Sequence, residues 1–392
     1  MNRNLQQLFN MAEKESRLGI GLMSGTSLDG LDIALCRFNG TGLNTTFELL
    51  HFTTIAYEQD FKQDVLSVFA QKQVDLQKLC LLNAKIGSLH AEMILSALKQ
   101  WRVQVEKVDF IASHGQTIYH APRRLHQLPG YPDATLQIGD GDHIAVKTGI
   151  LTISDFRQKQ IAAGGEGAPL ALYGDVILGS KTGENRLLLN IGGIANITYL
   201  PGDGGQVICT DIGPGNTLID AACRKYFNKP YDEDALIASS GKVNSELLQA
   251  LMDHPFFEEA LPKTTGPELF SLAYVAEAQR NSATIAIAPE DLVATLTAFT
   301  AKVIVDFLRE SLQNKVDQVF VSGGGARNPV VMQHLSEHLP TVQIQDTEAI
   351  GINPDAKEAI LFALLGNEAI AGEPLAISSN PAVLMGKFSF PL

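Results

Sequence analysis

The chain has 392 residues, 45% hydrophobic and 19% charged, which is enough to bury one large core, and its length predicts two. Its 30 Lys and Arg against 43 Asp and Glu leave a formal charge of −13, so no broad basic surface is available to a phosphate backbone and nucleic acid is not an expected partner. No run approaches the ~20 apolar residues that span a bilayer and the N-terminal segment lacks the apolar stretch of a signal peptide, so the expectation is a cytoplasmic protein without a membrane partner.

A polar segment reaches Arg17. LGIGLMSGTSLDGLDIALCRF then sets two apolar stretches around a Gly, Ser, Thr and Asp turn, which reads as strand, tight turn, strand. LLHFTTIAYE reads as a third strand, and over residues 61–104 Leu79, Leu82, Ile86, Leu89, Met93 and Ala97 recur at helical spacing. VDFIASHG is a short buried strand ending in polar residues, and TLQIGDGDHIAVKTG and LTISDFR continue an α/β alternation. Near Arg186 the pattern restarts. RLLLNIGGIANITYL is again strand, glycine turn and strand, followed by QVICTDIGPGN and a helix opening with TLIDAACRKYF. Two halves that open alike suggest a duplicated architecture.

A helical stretch over residues 289–313 leads into VDQVFVSGGGARNP, a strand whose apolar run stops at three glycines. A helix at 330–338, the strand TVQIQD and a helix at 355–371 follow, and AVLMGKFSF reads as a last strand returning to the first half. No low-complexity linker separates the halves. The boundary is placed near residues 150–158, giving a first domain of 1–152 plus about 375–392 and a second of 153–374. Cys36, Cys80, Cys209 and Cys223 are widely spaced without a CxxC and read as buried free thiols.

Three turns carry groups suited to a nucleotide. Gly25-Thr26-Ser27-Leu28-Asp29-Gly30, continued by Leu31 and Asp32, offers backbone N–H groups, two hydroxyls and a carboxylate, Asp29, that could hold Mg²⁺ through water. A plain hairpin with turn-forming Gly and Asp is the alternative. No GK[ST] follows, so it is not a Walker A loop. Gly192 and Gly193, with the amide of Asn196, could bring bare backbone to a phosphate. Gly323, Gly324 and Gly325, with Asn328, end a strand before a helix, where an open α/β sheet admits a flat ligand such as adenine, or where a βα loop needs flexible residues. A Rossmann site is disfavoured, because GxGxxG is absent after the first strand.

The order of these turns resembles the phosphate, phosphate and adenosine motifs of the actin-like ATPase and sugar kinase superfamily. GLMSGTSLDGLD, SHGQT, SDFR, AAGGEGAPL, NIGGIANIT, TDIGPGN and SGGGARNP are, in sequence and spacing, similar to the anhydro-N-acetylmuramic acid kinases of bacterial cell-wall recycling, from about Leu18 to Glu368. The resemblance implies two α/β domains of actin-like, ribonuclease H-like fold with a nucleotide cleft between them, the second domain carrying most of the adenosine site. It implies a kinase that turns 1,6-anhydro-N-acetylmuramic acid, ATP and water into N-acetylmuramic acid 6-phosphate and ADP, with Mg²⁺ as cofactor and a homodimer as the assembly.

In such a kinase Asp211 is the catalytic base; the alternative is a helix N-cap before Thr217. Arg157 is carried over as a cation for the substrate's lactyl carboxylate or the opening ether, with a surface ion pair as the alternative. His114, Gln116 and Thr117 are expected as sugar contacts, and His114 lacks a second ligand at metal-binding spacing. Glu358 binds a sugar hydroxyl or amide, or serves the dipole of a helix start.

The chain departs from the family pattern at Glu166, commonly Gln, at ALYGD after GGEGAPL, where a Pro and an aromatic-His pair are usual, and at Pro267, where Arg is usual. These departures bear on substrate-side loops more than on the nucleotide site. Two other classes fit the same fold: a nucleotide-switched binding protein, and a kinase for an ordinary hexose. The hexose kinase needs no activated water, and a pure nucleotide switch has no need of Asp211 in TDIGPGN or of the SDFR and SHGQT loops.

Overall fold

Alternating apolar residues do build paired strands around the first turn: β1 (Ser16–Ser24) runs antiparallel to β2 (Gly30–Asn39), which pairs with β3 (Thr46–Ala56). The computed structural model describes residues 2–313, 315–377 and 380–392. After β3 the chain crosses by helices to β4 (Phe110–Ala121), parallel to β1, because parallel neighbours need a long connection. β5 (Ala134–Ile138) pairs antiparallel with the C-terminal half of β4, and β6 (Leu151–Ser154) and β12 (Lys387–Ser389) complete the order β3-β2-β1-β4-β6-β12. The second sheet repeats the plan. β7 (Arg186–Ile191), β8 (Ile194–Leu200) and β9 (Ile208–Pro214) form an antiparallel meander, and β10 (Gln318–Ser322) and β11 (Gln343–Asp346) add in parallel on the other side of β7. Its order, β9-β8-β7-β10-β11, matches the β3-β2-β1-β4-β6 part of the first sheet, with no counterpart to β5 or β12 among the described residues. Both units are α/β, each with an antiparallel three-strand meander followed by parallel strands, a ribonuclease H-like strand order.

The chain divides into residues 1–178 with 351–392, and residues 179–350. The sequence reading put 153–178 and 351–374 in the second domain. The structure assigns them to the first, for a packing reason. The Lys357–Ala371 helix lies against β1 so closely that a Cβ at Gly21 would sit 1.8 Å from the Ala359 carbonyl oxygen. A helix apolar on all sides must be covered all round, and Ala359–Glu368 are buried without a break. β6 lies between β4 and β12, which fixes residues 151–154 in the same sheet.

In the first unit Ile20, Leu22 and Ile33 pack against Ile86, Ile94 and Leu98 of the Leu76–Trp101 helix. In the second, Leu187, Leu189 and Ile197 meet Leu296, Phe299 and Ile304 of the Pro289–Asp306 helix. Each such side chain contributes ~1.5–3 kcal/mol by leaving water.

Three local readings change. The polar N-terminus forms the Arg3–Ala12 helix, with the Asn2 side chain accepting from Asn4 N–H at 2.8 Å. The 61–104 stretch is two helices, Gln59–Leu66 and Leu76–Trp101, the second capped by Asp75, which accepts from Lys78 N–H at 3.1 Å. Cys36 and Cys223 are buried, but Cys80 is exposed on the Leu76–Trp101 helix and Cys209 is half-buried. Among the described residues no helix is long and apolar enough to cross a membrane.

Candidate active site

The turn after β1 leaves Thr26, Ser27 and Asp29 exposed. Leu28 N–H donates to the Gly25 carbonyl at 3.3 Å, and Leu28 takes φ +58°, so its side chain turns into the core. Leu28 and Leu31 are buried, and a Cβ at Gly30 would meet the Ile55 carbonyl at 2.5 Å. Of the eight residues read as a nucleotide contact, Leu28, Gly30 and Leu31 therefore serve the fold through their side-chain positions. Gly25 differs. A Cβ there would lie 3.7 Å from its nearest neighbour, and no positive φ calls for glycine, so packing leaves space open above it. Gly192 and Gly324 share this property, at 3.5 and 3.6 Å, whereas Gly193, Gly323 and Gly325 are needed by close contacts. A bare glycine that the fold does not require suits a ligand that approaches the backbone.

Asp32, on β2, accepts from Thr54 Oγ1 at 2.6 Å. Burial raises its pKa, as do the charges of Asp355 and Asp29, against the Thr54 bond. This negative field suits a divalent cation. Among the described residues no three His, Cys, Asp or Glu are grouped to hold a metal, so Mg²⁺ would take most ligands from phosphate and water, with Asp29 reaching it through water.

Gln116 and His114 were expected to face a sugar. The structure turns both inward. Gln116 accepts from Ser24 Oγ at 2.5 Å and donates to the Gly25 carbonyl at 3.4 Å, so it supports the turn. His114 Nε2 accepts from Arg157 Nε at 3.2 Å, while Arg157 Nη1 donates to the Gly167 carbonyl at 2.7 Å. Burial, and then the Arg157 charge, push His114 down to about 3, so it is a neutral acceptor that orients the guanidinium. Arg157 is accordingly no surface ion pair. Its pKa is lowered by burial and raised back by Glu358. Thr117 Oγ1 accepts from Gln137 Nε2 at 3.1 Å and is half-buried. Glu358 reaches solvent near the start of its helix; the surrounding protein and Asp32 raise its pKa, and Arg157 and Lys357 lower it. Glu166, the departure from the family pattern, pairs with Arg124 at 3.1 Å.

In the second unit, strand register brings four polar residues into one row: Ser322 of β10 pairs with Asn190 of β7, Asn190 with Asn196 of β8, and Asn196 with Asp211 of β9. Paired residues share a face, so these side chains stand side by side where β7 and β10 end. Sequence reasoning singled out Asn196 and Asp211 and missed Asn190 and Ser322. Ser322 Oγ donates to Asn190 Oδ1 at 3.4 Å.

Asp211 lies within β9, not at a helix start. The Thr217–Phe227 helix has Asn216 at its N-cap, and Asp211 Oδ2 instead accepts from Thr265 N–H at 2.9 Å. Burial raises its pKa, Thr265 opposes this, and Glu268 adds to it. The carboxylate is thus held at one oxygen and made more basic than usual. The Gly192 and Gly193 carbonyls accept from Asn216 N–H at 2.8 Å and Thr217 N–H at 3.1 Å. Across a trans peptide, N–H opposes C=O, so Gly193 N–H points away from that helix. Asn328, read as a nucleotide ligand, is a helix cap: its Oδ1 accepts from Val330 and Val331 N–H, both at 3.1 Å.

The family model described as anhydro-N-acetylmuramic acid kinase matches residues 17–384. A protein of Pseudoalteromonas atlantica named anhydro-N-acetylmuramic acid kinase is 51% identical over the full length of both chains. Proteins of the same name are similar in Pseudoalteromonas translucida, at 50% over both full lengths, and in Caldanaerobacter subterraneus, at 41% over 98% of this chain and 100% of its own. With the motifs and the repeated sheet order, these matches show that the chain belongs to the anhydro-N-acetylmuramic acid kinase family.

Proposed function

We propose that this sugar kinase converts 1,6-anhydro-N-acetylmuramic acid, ATP and water into N-acetylmuramic acid 6-phosphate and ADP, as a cytoplasmic homodimer acting in peptidoglycan recycling. Asp211 takes one proton from water as the water oxygen bonds to the anomeric carbon. The bond from that carbon to O6 breaks, O6 attacks the γ-phosphorus, and the bond to the ADP oxygen breaks. The released O6 becomes the phosphate ester, and the second water proton stays on the anomeric hydroxyl.

The Gly25–Asp29 turn and the Gly192–Gly193 turn take phosphates through backbone N–H groups, and Gly323–Gly325 takes adenosine. Bound Mg²⁺ supplies charge neutralisation at the phosphates. Arg157, oriented by His114, takes the lactyl carboxylate, and Glu358 a sugar hydroxyl or the acetamide. The observation that carries the reading is Asp211: one oxygen fixed by Thr265 N–H, a raised pKa and a place in the polar row.

The test is mass spectrometry of the product made from the anhydro sugar and ATP in ¹⁸O-water, quenched before open-chain exchange. One solvent oxygen at the anomeric carbon and a phosphate on O6 are expected. A product without solvent oxygen indicates ordinary hexose phosphorylation, and ADP release independent of sugar indicates a nucleotide switch; either result overturns the proposal.

A further inference from the structure

Behind the Gly25 turn a line of buried hydrogen bonds runs into the Leu76–Trp101 helix. Its direction follows from chemistry. Gln116 Oε1 can only accept, so Ser24 Oγ donates to it, at 2.5 Å. With its proton so used, Ser24 accepts from Tyr57 OH at 2.8 Å. The Tyr57 oxygen in turn accepts from His90 Nε2 at 2.9 Å, which assigns His90 the Nε2–H tautomer. His90 is fully buried, which pushes its pKa down to about 4 and keeps it neutral, and its Nδ1 has no partner among the described residues.

At the other end, the fixed Gln116 oxygen leaves its Nε2 to donate to the Gly25 carbonyl at 3.4 Å and the Thr117 carbonyl at 3.3 Å. A Gly25 carbonyl held inward aims the Thr26 N–H the opposite way. Tyr57 also holds the far end of the turn, its backbone N–H donating to the Asp29 carbonyl at 3.2 Å. For stability alone such a chain is a poor choice. His90 sits among Ile86, Ala91 and Ile94 with one nitrogen unsatisfied, and an apolar residue there avoids that desolvation loss.

We infer that Tyr57 and His90 are positioning residues for the phosphate-binding turn: through Ser24 and Gln116 they fix the Gly25 peptide so that Thr26 N–H points at the triphosphate. The inference rests on the reading that this turn binds phosphates. Neither residue touches the nucleotide.

The experiment is calorimetric binding of a non-hydrolysable ATP analogue and of AMP to the full chain. Tyr57→Phe keeps the ring against Phe61, whose centroid is 4.6 Å away, and removes only the oxygen. Loss of one net hydrogen bond predicts a Kd for the analogue weaker by ~tenfold, with AMP within about twofold of the parent, because AMP lacks the outer phosphates. His90→Gln preserves an N–H donor near Nε2 and should bind like the parent, whereas His90→Leu should resemble Tyr57→Phe. This pair decides the matter should the phenylalanine variant not fold. If Tyr57→Phe and His90→Leu bind the analogue as the parent does, or weaken AMP equally, the inference is wrong. Gly25→Val separates the two levels. If it weakens analogue binding while the relay variants do not, the relay fails and the turn stands; if it too binds normally, the turn reading falls first.

Discussion

Replacing Asp211 by Asn isolates proton removal from position. In the parent, Asp211 Oδ2 accepts from Thr265 N–H at 2.9 Å, and an Asn oxygen can accept the same bond, so the 263–265 segment stays anchored. What is lost is the base. A positioned general base contributes ~10²–10⁴ in rate, equivalent to ~3–5 kcal/mol of barrier, so kcat should fall by that factor with ATP affinity little changed. Stability should move the other way. Burial, reinforced by Glu268, raises Asp211 above its ordinary 3.8, so the ionised carboxylate destabilises the fold at every pH above the raised value. That penalty disappears as pH falls through the raised pKa toward 3.8. Asn carries no charge to desolvate, so the variant should melt at or above the parent at neutral pH, and the gap should close in acid. Sugar-dependent ADP release and melting curves on one preparation measure both. A folded Asn variant with near-normal turnover refutes the role of Asp211 and removes the main support for coupled hydrolysis and phosphorylation.

Glu268→Gln removes a like charge that raises Asp211, so the acid limb of the kcat/KM profile should shift to lower pH; an unmoved limb detaches Glu268 from the base. Gly25→Val and Gly324→Val introduce a Cβ with no neighbour inside 3.7 and 3.6 Å respectively, so both should fold, while calorimetry should show ATP binding lost. Arg157→Lys cannot keep both the His114 and the Gly167 bonds, and the sugar KM should rise by roughly tenfold or more while nucleotide affinity holds, as read from initial rates.

How much of this was legible depends on the range of the interactions. The strand, turn, strand openings at Gly25 and Gly192 were readable because alternation and glycine are local signals. The helix at residues 357–371 was readable too, but nothing in an apolar helix says which sheet it covers; Gly21, over three hundred residues earlier, decides that. Asp211 resembled a cap because Thr217 is close in sequence, and its true partner, Thr265, arrives from a distant segment. Asn190 and Ser322 entered the site through strand register, which single-strand patterns do not encode. The capping role of Asn328 was equally hidden, because the two backbone N–H groups its Oδ1 accepts from are fixed only once the following helix has formed.

The contact between Gly21 and the Lys357–Ala371 helix also bears on how the chain comes off the ribosome. Synthesis proceeds from the N-terminus at ~5–20 residues per second, so β1 emerges many seconds before the helix that covers it. The segment 179–350 is continuous and is fully available before that helix is made, whereas residues 1–178 wait for 351–392. During that interval one face of the first sheet, with glycines where side chains would otherwise shield it, lacks its cover. Truncation ahead of residue 357 should therefore leave an aggregation-prone nascent product, and C-terminal tags or degradation should affect the first unit before the second.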